Sequence, residues 1–332
     1  MTAVIVGCGR VAGGYNEADE TQVLSHVVAF RRAGLPVAGC VDTDPARAER
    51  FAERWSISEF GSDVTDMLTR TGARLVSDCT PATSRAAVLG AALAAPAVRT
   101  VIAEKPFGAD EAAAQTLLER CTTSGKRVLV NHQRAYDPCY RAIEDRVRNG
   151  LLGRIQWLVG HAYGGALTGL SHVLERAIAM LGPIRRAERV AFPSSGPPDD
   201  PAVAFAAEFE NGGHGMFLPL ASEGFAGVEI DLIGTKGRLR IVDSERRVEY
   251  FRCQSSTEPG CDGLNMLEPA ALDLPAPDWE ALRYVVAAAA DETAAPACPL
   301  QRAAEVVTVI DRVRCYGVYD KQCGKARVGG AR

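Results

Sequence analysis

A short apolar run, Ala3-Val4-Ile5-Val6, passes without a break into Gly7-Cys8-Gly9-Arg10-Val11-Ala12. No other feature limits the fold of this chain so sharply. A strand ending in G-x-G-x-x-[G/A] opens a nucleotide-binding βαβ unit. The first glycine allows a tight turn, the second lets backbone approach a pyrophosphate, and a small third residue lets the next helix pack on the strand. The N–H groups at the start of that helix then face the phosphate charge. The chain keeps this rhythm as far as residue 130. Further strands are expected at Val37–Val41, 75–79, 98–103 and Arg127–Val130, with helical patterns at 22–33, 45–54, Val64–Thr71, 84–94 and 110–124. Such alternation means a parallel sheet covered on both faces. Asp44 before Pro45 and Asp110 before Glu111 are N-cap signals, and Gly125 closes its helix.

Past about residue 150 the strands come one directly after another, at Ile155–Tyr163, 203–210, His214–Leu220, 228–233, Gly237–Val242 and 248–253. Short turns such as Asn211-Gly212-Gly213 join them, which implies an antiparallel sheet. A helix at Ser171–Leu181 interrupts, and two more, 279–290 and 299–316, close the chain. The Leu/Ala/Val stripe of the last is core packing. Residues 194–201 (SSGPPDDP) read as a loop. The expected division is a dinucleotide-binding Rossmann domain over 1–130 and an α/β domain for substrate binding and oligomerisation over 131–332.

Charge excludes some partners. Lys and Arg number 37 against 41 Asp and Glu, a net charge of -4, where a nucleic-acid protein shows a basic face. No apolar run reaches the ~20 residues of a membrane span, and the start lacks a basic leader region. The ten cysteines contain no C-x-x-C pair, and several sit in apolar strands as small hydrophobes. The expectation is a reduced, cytoplasmic enzyme without a metal.

Asp42 ends the second strand, where an acidic residue accepts the ribose hydroxyls. It would repel a 2′-phosphate and so favours NAD; Thr43 and Arg47 could accept that phosphate, so NADP stays open. The distance from Gly9 to Asp42 exceeds the usual ~20 residues. The excess is the polar stretch 13–22 (GGYNEADETQ), either a lip over the cofactor or a surface elaboration.

Five further motifs stand in order: Cys79-Thr80-Pro81, Glu104-Lys105-Pro106-Phe107, Asn131-His132-Gln133-Arg134, the stretch from Gly164 to His172 (GGALTGLSH), and Gly234-Thr235-Lys236-Gly237. Together they resemble the Gfo/Idh/MocA family, that of glucose–fructose oxidoreductase and inositol dehydrogenase. The resemblance implies an α/β protein: an N-terminal Rossmann domain and a C-terminal α/β domain built on a large, mostly antiparallel sheet. It also implies hydride transfer between nicotinamide and a carbinol or ketone carbon of a sugar, nucleotide sugar, aminosugar or cyclitol. Lys105 matches the family lysine between nicotinamide and substrate, and burial there would lower its pKa and suit it to proton exchange. His172 matches the second acid–base group.

The resemblance and the glycine motif assign Gly7, Cys8, Gly9, Arg10, Val11, Asp42, Thr43, Arg47, Thr80, Pro81, Glu104, Lys105 and Asn131 to the cofactor. Tyr163, Thr168, His132 and Arg134 are substrate neighbours. Two positions depart from the family. Thr168 stands where its D-x-x-x-H pattern has the aspartate, which should leave His172 less basic. Arg85 stands where a histidine is frequent and should alter contacts at the cofactor edge. His26, His161 and His214 read as structural, and His132 is open.

Two other readings remain: redox-assisted elimination or glycoside cleavage with tightly bound NAD, and a dinucleotide sensor that has lost catalysis. The family associates through its large sheet, so a homodimer or homotetramer is expected. Glu229 and Asp231 make one side of strand 228–233 polar, which disfavours a dry interface there.

Overall fold

The computed structural model describes residues 1–190, 195–221, 227–255 and 265–322. Cys261, Cys323 and Ser194 of the expected loop lie outside them. The chain divides into two compact units, Met1–Asp137 with Glu280–Ala304, and Pro138–Trp279 with Glu305–Arg332.

The first unit is a parallel six-stranded sheet. Its strands are β1 (Ala3–Val6), β2 (Val37–Val41), β3 (Glu59–Gly61), β4 (Leu75–Asp78), β5 (Thr100–Ala103) and β6 (Arg127–Val130), in the order β3-β2-β1-β4-β5-β6. The strand order reverses beside β1, which in such sheets marks the ligand crevice beyond the carboxyl ends. All four residues of β1, β4 and β5 are buried, as strands covered on both faces must be. The crossover helices are α1 (His26–Arg32), α2 (Pro45–Trp55), α3 (Val64–Thr71), α4 (Arg85–Ala94) and α5 (Glu111–Thr123). Asp44 caps α2 by accepting from the N–H groups of Ala46 and Arg47, and Asp110 caps α5 by accepting from Ala113. Helix Leu282–Ala290 returns to this unit beside α1 and β5.

Two local expectations differ. Edge strand β3 is three residues long, too short to carry a periodic signal. Helix α1 starts at His26 rather than at 22, because the buried Asn16 folds the polar stretch back on itself. Its Nδ2 donates to the carbonyls of Asp19 and Gln22, and its Oδ1 accepts from Leu24 N and Ser25 Oγ. Arg31 and Arg54 grip Glu20 from the two flanking helices.

The second unit is a nine-stranded sheet. It comprises β7 (Ile155–Tyr163), β8 (Ile184–Arg189), β9 (Phe205–Phe209), β10 (His214–Leu220), β11 (Val228–Gly234), β12 (Gly237–Val242), β13 (Arg247–Ser255), β14 (Asn265–Pro269) and β15 (Val318–Asp320). The order is β14-β13-β12-β11-β7-β10-β9-β8-β15, antiparallel except where β7 runs beside β10. Helices α6 (Pro138–Arg148) and α7 (Ser171–Leu181) pack together, and α7 lies on β7 and β11. A Cβ at Gly160 would come 2.2 Å from Val173 Cγ1, so the glycine lets α7 sit down on β7. The other face is charged where it was expected to be: Arg238 pairs with Asp231, and Arg240 Nη1 reaches Glu249 at 2.9 Å. Helix α6 and strands β8, β14 and β15 add to the sequence reading. Strand β8 buries only Ile184 and Ala187, each followed by two exposed charged residues, so it shows no period-two apolar signal.

Candidate active site

In the first unit the site residues collect at the carboxyl edge of the sheet. Gly7 leaves β1 with φ +88°, and a Cβ on it would lie 3.0 Å from the Cys79 carbonyl carbon beyond β4. Only glycine fits where two strand ends come this close. Gly9 differs: a Cβ there meets nothing within 4 Å, which leaves the open cradle that a pyrophosphate requires. The Cys8 N–H donates to Asp42 Oδ2 at 2.9 Å, so the glycine turn and the carboxylate at the end of β2 are tied together. Asp42 Oδ1 accepts from Asp44 N at 3.0 Å and from the half-exposed Arg47 at 3.4 Å. Hydrogen bonding with Cys40, together with burial, pushes the Cys8 thiol far above its usual range and keeps it neutral. Arg10 stacks on the exposed Tyr15 ring, 4.9 Å from its centroid. Thr43 and Pro81 are exposed, and Thr80 is half-buried with its N–H on Asp78 Oδ1 at 2.9 Å. These groups fit a dinucleotide.

Beneath that edge lies a buried polar cluster that sequence reasoning missed. His26 is fully buried at the start of α1. Its Nε2 meets Glu104 Oε1 at 2.8 Å and its Nδ1 meets Ser77 Oγ at 2.7 Å. Asn131, beyond β6, also donates to Glu104 Oε1, and Glu104 Oε2 accepts the backbone N–H of Lys105 at 3.2 Å. Burial by itself favours neutral His26, but Cys79 and the Glu104 carboxylate beside it reverse this and hold its pKa up at about 10. Burial likewise favours protonated Glu104, and the His26 hydrogen bond and charge, with Asn131 and Lys105, bring it below the carboxylate norm. An imidazolium–carboxylate pair thus anchors the backbone at Lys105.

Arg85 lies inside the first unit. It is fully buried, 3.2 Å from Asp78 Oδ2, and donates to the carbonyls of Thr80 and Pro106. It braces the Cys79-Thr80-Pro81 and Glu104-Lys105-Pro106 segments against each other. Burial raises the Asp78 pKa, partly offset by Arg85 and Thr80. His132 and Arg134 are buried beyond β6, with Arg134 4.0 Å from the buried Asp137. Both are packed side chains.

In the second unit, Tyr163 ends β7 with its ring exposed. The chain then winds through a wide π-type turn, Ala166–Leu170, into α7. Every other residue of α7 is buried, and His172 alone is half-exposed. The Thr168 hydroxyl accepts from Gly165 N at 3.0 Å and donates to Asp200 Oδ2 at 2.9 Å. In the sequence Asp200 reads as part of a plain loop. Among the described residues no group of three or more His, Cys, Asp or Glu could hold a metal ion, and no helix is long and apolar enough to cross a membrane.

The first unit has the sheet order and glycine turn of a dinucleotide-binding domain. Residues 1–132 match the Gfo/Idh/MocA oxidoreductase family, NAD-binding Rossmann fold. The chain is 31% identical over 159 residues to myo-inositol dehydrogenase Hyg17 of Streptomyces leeuwenhoekii, covering 48% of this chain and 44% of the relative. It spans less than half the length of the curated relatives it matches. The whole fold recurs in solved structures at low identity. Levoglucosan dehydrogenase, in complex with NADH and L-sorbose, superposes with a TM-score of 0.72 at 15% identity over 95% of both chains. UDP-N-acetylglucosamine 3-dehydrogenase GnnA of Acidithiobacillus ferrooxidans does so with 0.67 at 17%, covering 95% of this chain and 96% of that one.

Proposed function

We propose that this protein is a dehydrogenase or reductase that uses NAD to interconvert a carbinol and a ketone on a sugar, nucleotide sugar, aminosugar or cyclitol. One observation carries the reading: the buried His26–Glu104–Asn131 cluster that fixes Lys105 at the carboxyl edge of an NAD-binding sheet. A stability-only role would not need two ionised groups buried under that edge, since a buried ion pair adds little net stability over apolar packing. Gly7, Gly9 and the backbone around Arg10 and Val11 would hold the pyrophosphate, Asp42 the adenosine ribose, and Thr80, Pro81 and Asn131 the nicotinamide half. Bound there, the nicotinamide supplies the acceptor or donor of hydride.

The protein's part is the proton. As the carbinol carbon is oxidised its O–H bond must break, and the basic nitrogens offered are Lys105 Nζ and the His172 imidazole. One takes the proton directly, and the other hydrogen-bonds the developing oxyanion; in reduction the proton returns to that oxygen. Tyr163 and Thr168 offer hydroxyls to neighbouring substrate oxygens. The dehydrogenases on myo-inositol, levoglucosan and UDP-N-acetylglucosamine support the substrate class. We place the protein in the cytoplasm as a homodimer or homotetramer.

The test is stopped-flow absorbance at 340 nm with NAD⁺ or NADH and a panel of polyols and ketoses that includes myo-inositol and levoglucosan. Net NADH change is expected with at least one. Product without net change would replace the reading by redox-assisted elimination, and nucleotide binding with neither would replace it by a sensor.

A further inference from the structure

Position 168 lacks the carboxylate that the D-x-x-x-H pattern carries, yet the folded chain delivers one to the same place. Asp200 lies on a small loop closed by mutual backbone bonds between Ser195 and Ala202, at 3.0 and 2.7 Å. The loop presses onto Gly164 and Gly165 so tightly that a Cβ at Gly165 would come 2.0 Å from Asp200 Oδ2. The Asp200 side chain is nearly buried. Its carboxylate accepts from Leu167 N at 3.0 Å, from Thr168 N at 2.9 Å and from the Thr168 hydroxyl at 2.9 Å. Its main-chain oxygen accepts from Ala166 N at 3.3 Å. One residue therefore satisfies three successive N–H groups of the turn that leads into α7, along with the side chain one helical turn ahead of His172. The cation facing this carboxylate is Arg314, whose Nη1 is 3.6 Å from Asp200 Oδ1 and which also binds Asp311.

We propose that Asp200 is the positioning residue for His172, supplying through Thr168 the negative charge and the fixed turn that an aspartate at 168 supplies elsewhere. Charge is placed where the helix N-terminus favours an anion, four residues ahead of His172 in the chain. The usefulness of that arrangement rests on the dehydrogenase reading, but the arrangement itself can be tested without substrate.

The experiment is an NMR titration of the His172 ring in the full-length protein, its resonance assigned by loss in His172→Gln, in wild type, Asp200→Asn and the transposed double variant Thr168→Asp/Asp200→Thr. Thermal midpoints are recorded on the same samples. In Asp200→Asn the His172 pKa should fall by about half a pH unit, a modest step because Arg314 already offsets part of the charge. The transposed variant should return it to within ~0.2 of wild type. A residue that only staples the turn would lower the thermal midpoint of Asp200→Asn and leave the titration in place, and that result overturns the proposal. If Asp200→Asn does not fold, Thr168→Val decides, because it cuts the hydroxyl link to Asp200 and keeps the carboxylate: a His172 pKa lowered by ~0.3 or more supports the assignment, and an unchanged titration refutes it. The 340 nm assay run alongside separates the two readings. Loss of the titration effect with net NADH change kept refutes only the Asp200 role, and the titration effect without any turnover refutes only the dehydrogenase.

Discussion

Replacing His26 by glutamine tests the buried cluster most directly. The imidazole is fully buried and its pKa stands at about 10 against an ordinary value near 6.5. At about 1.36 kcal/mol per pH unit this difference is worth roughly 5 kcal/mol to the folded state. A pKa raised on folding contributes in full below the unfolded value and is lost as pH rises through the folded one. The contribution of His26 is therefore complete below about pH 6.5 and gone near pH 10. His26→Gln removes the cation and leaves Glu104 buried with only neutral donors from side chains, a loss of about 3–5 kcal/mol at pH 7. For a domain of this size that is a fall of roughly 10 °C in thermal midpoint. Circular-dichroism melts of both proteins at intervals from pH 6 to pH 10 read the difference directly. Titrations of lysines and of cysteines remote from His26 cancel in the subtraction, and that of Cys79, which faces the imidazole, is part of the difference read. The gap should be widest at pH 6–7 and close as the wild-type imidazolium loses its proton. A gap that stays constant across this range would mean that His26 is buried neutral, and the charge-pair argument fails.

Three other substitutions probe the site. Lys105→Met should lower turnover by about 10²–10⁴-fold while the NADH dissociation constant, read by fluorescence, stays within about threefold. Asp42→Ala removes the acceptor held by Cys8 N–H at 2.9 Å; NADH should bind about 10–100-fold more weakly and NADPH be affected less, measured by calorimetry. Gly9→Ala puts a methyl group into open space in the protein itself, so its melt should match wild type within about 1 °C, while NADH affinity drops at least about tenfold as the methyl group meets the pyrophosphate.

Much of this is legible in the linear chain because its signals are local. A strand buried on both faces favours an apolar run, and Ala3–Val6 and the Val101-Ile102-Ala103 of β5 show it. Helix caps act across two or three residues, so Asp44 and Asp110 announce α2 and α5. Where the chain carries no periodic signal, reading fails: β3 and β15 are three residues each and take their strand geometry from a neighbour. Helix α1 reads as starting four residues too early because the side chain that folds 13–22 back, Asn16, makes bonds no pattern encodes.

The order of residues alone determined the dinucleotide turn, the alternating strands and helices of the first unit, the strand-rich second unit, and the types of group, lysine and histidine, available to move a proton. Folding decided how those groups are held. His26 and Glu104 are 78 positions apart and Thr168 and Asp200 are 32 apart. Those partnerships arise only when separate elements close on each other. Charge interactions depend on distance and burial, and a linear chain states neither. A histidine in the first turn of an ordinary helix and an aspartate in a proline-rich loop look unremarkable until packing excludes water around them and makes each the partner of a group that matters.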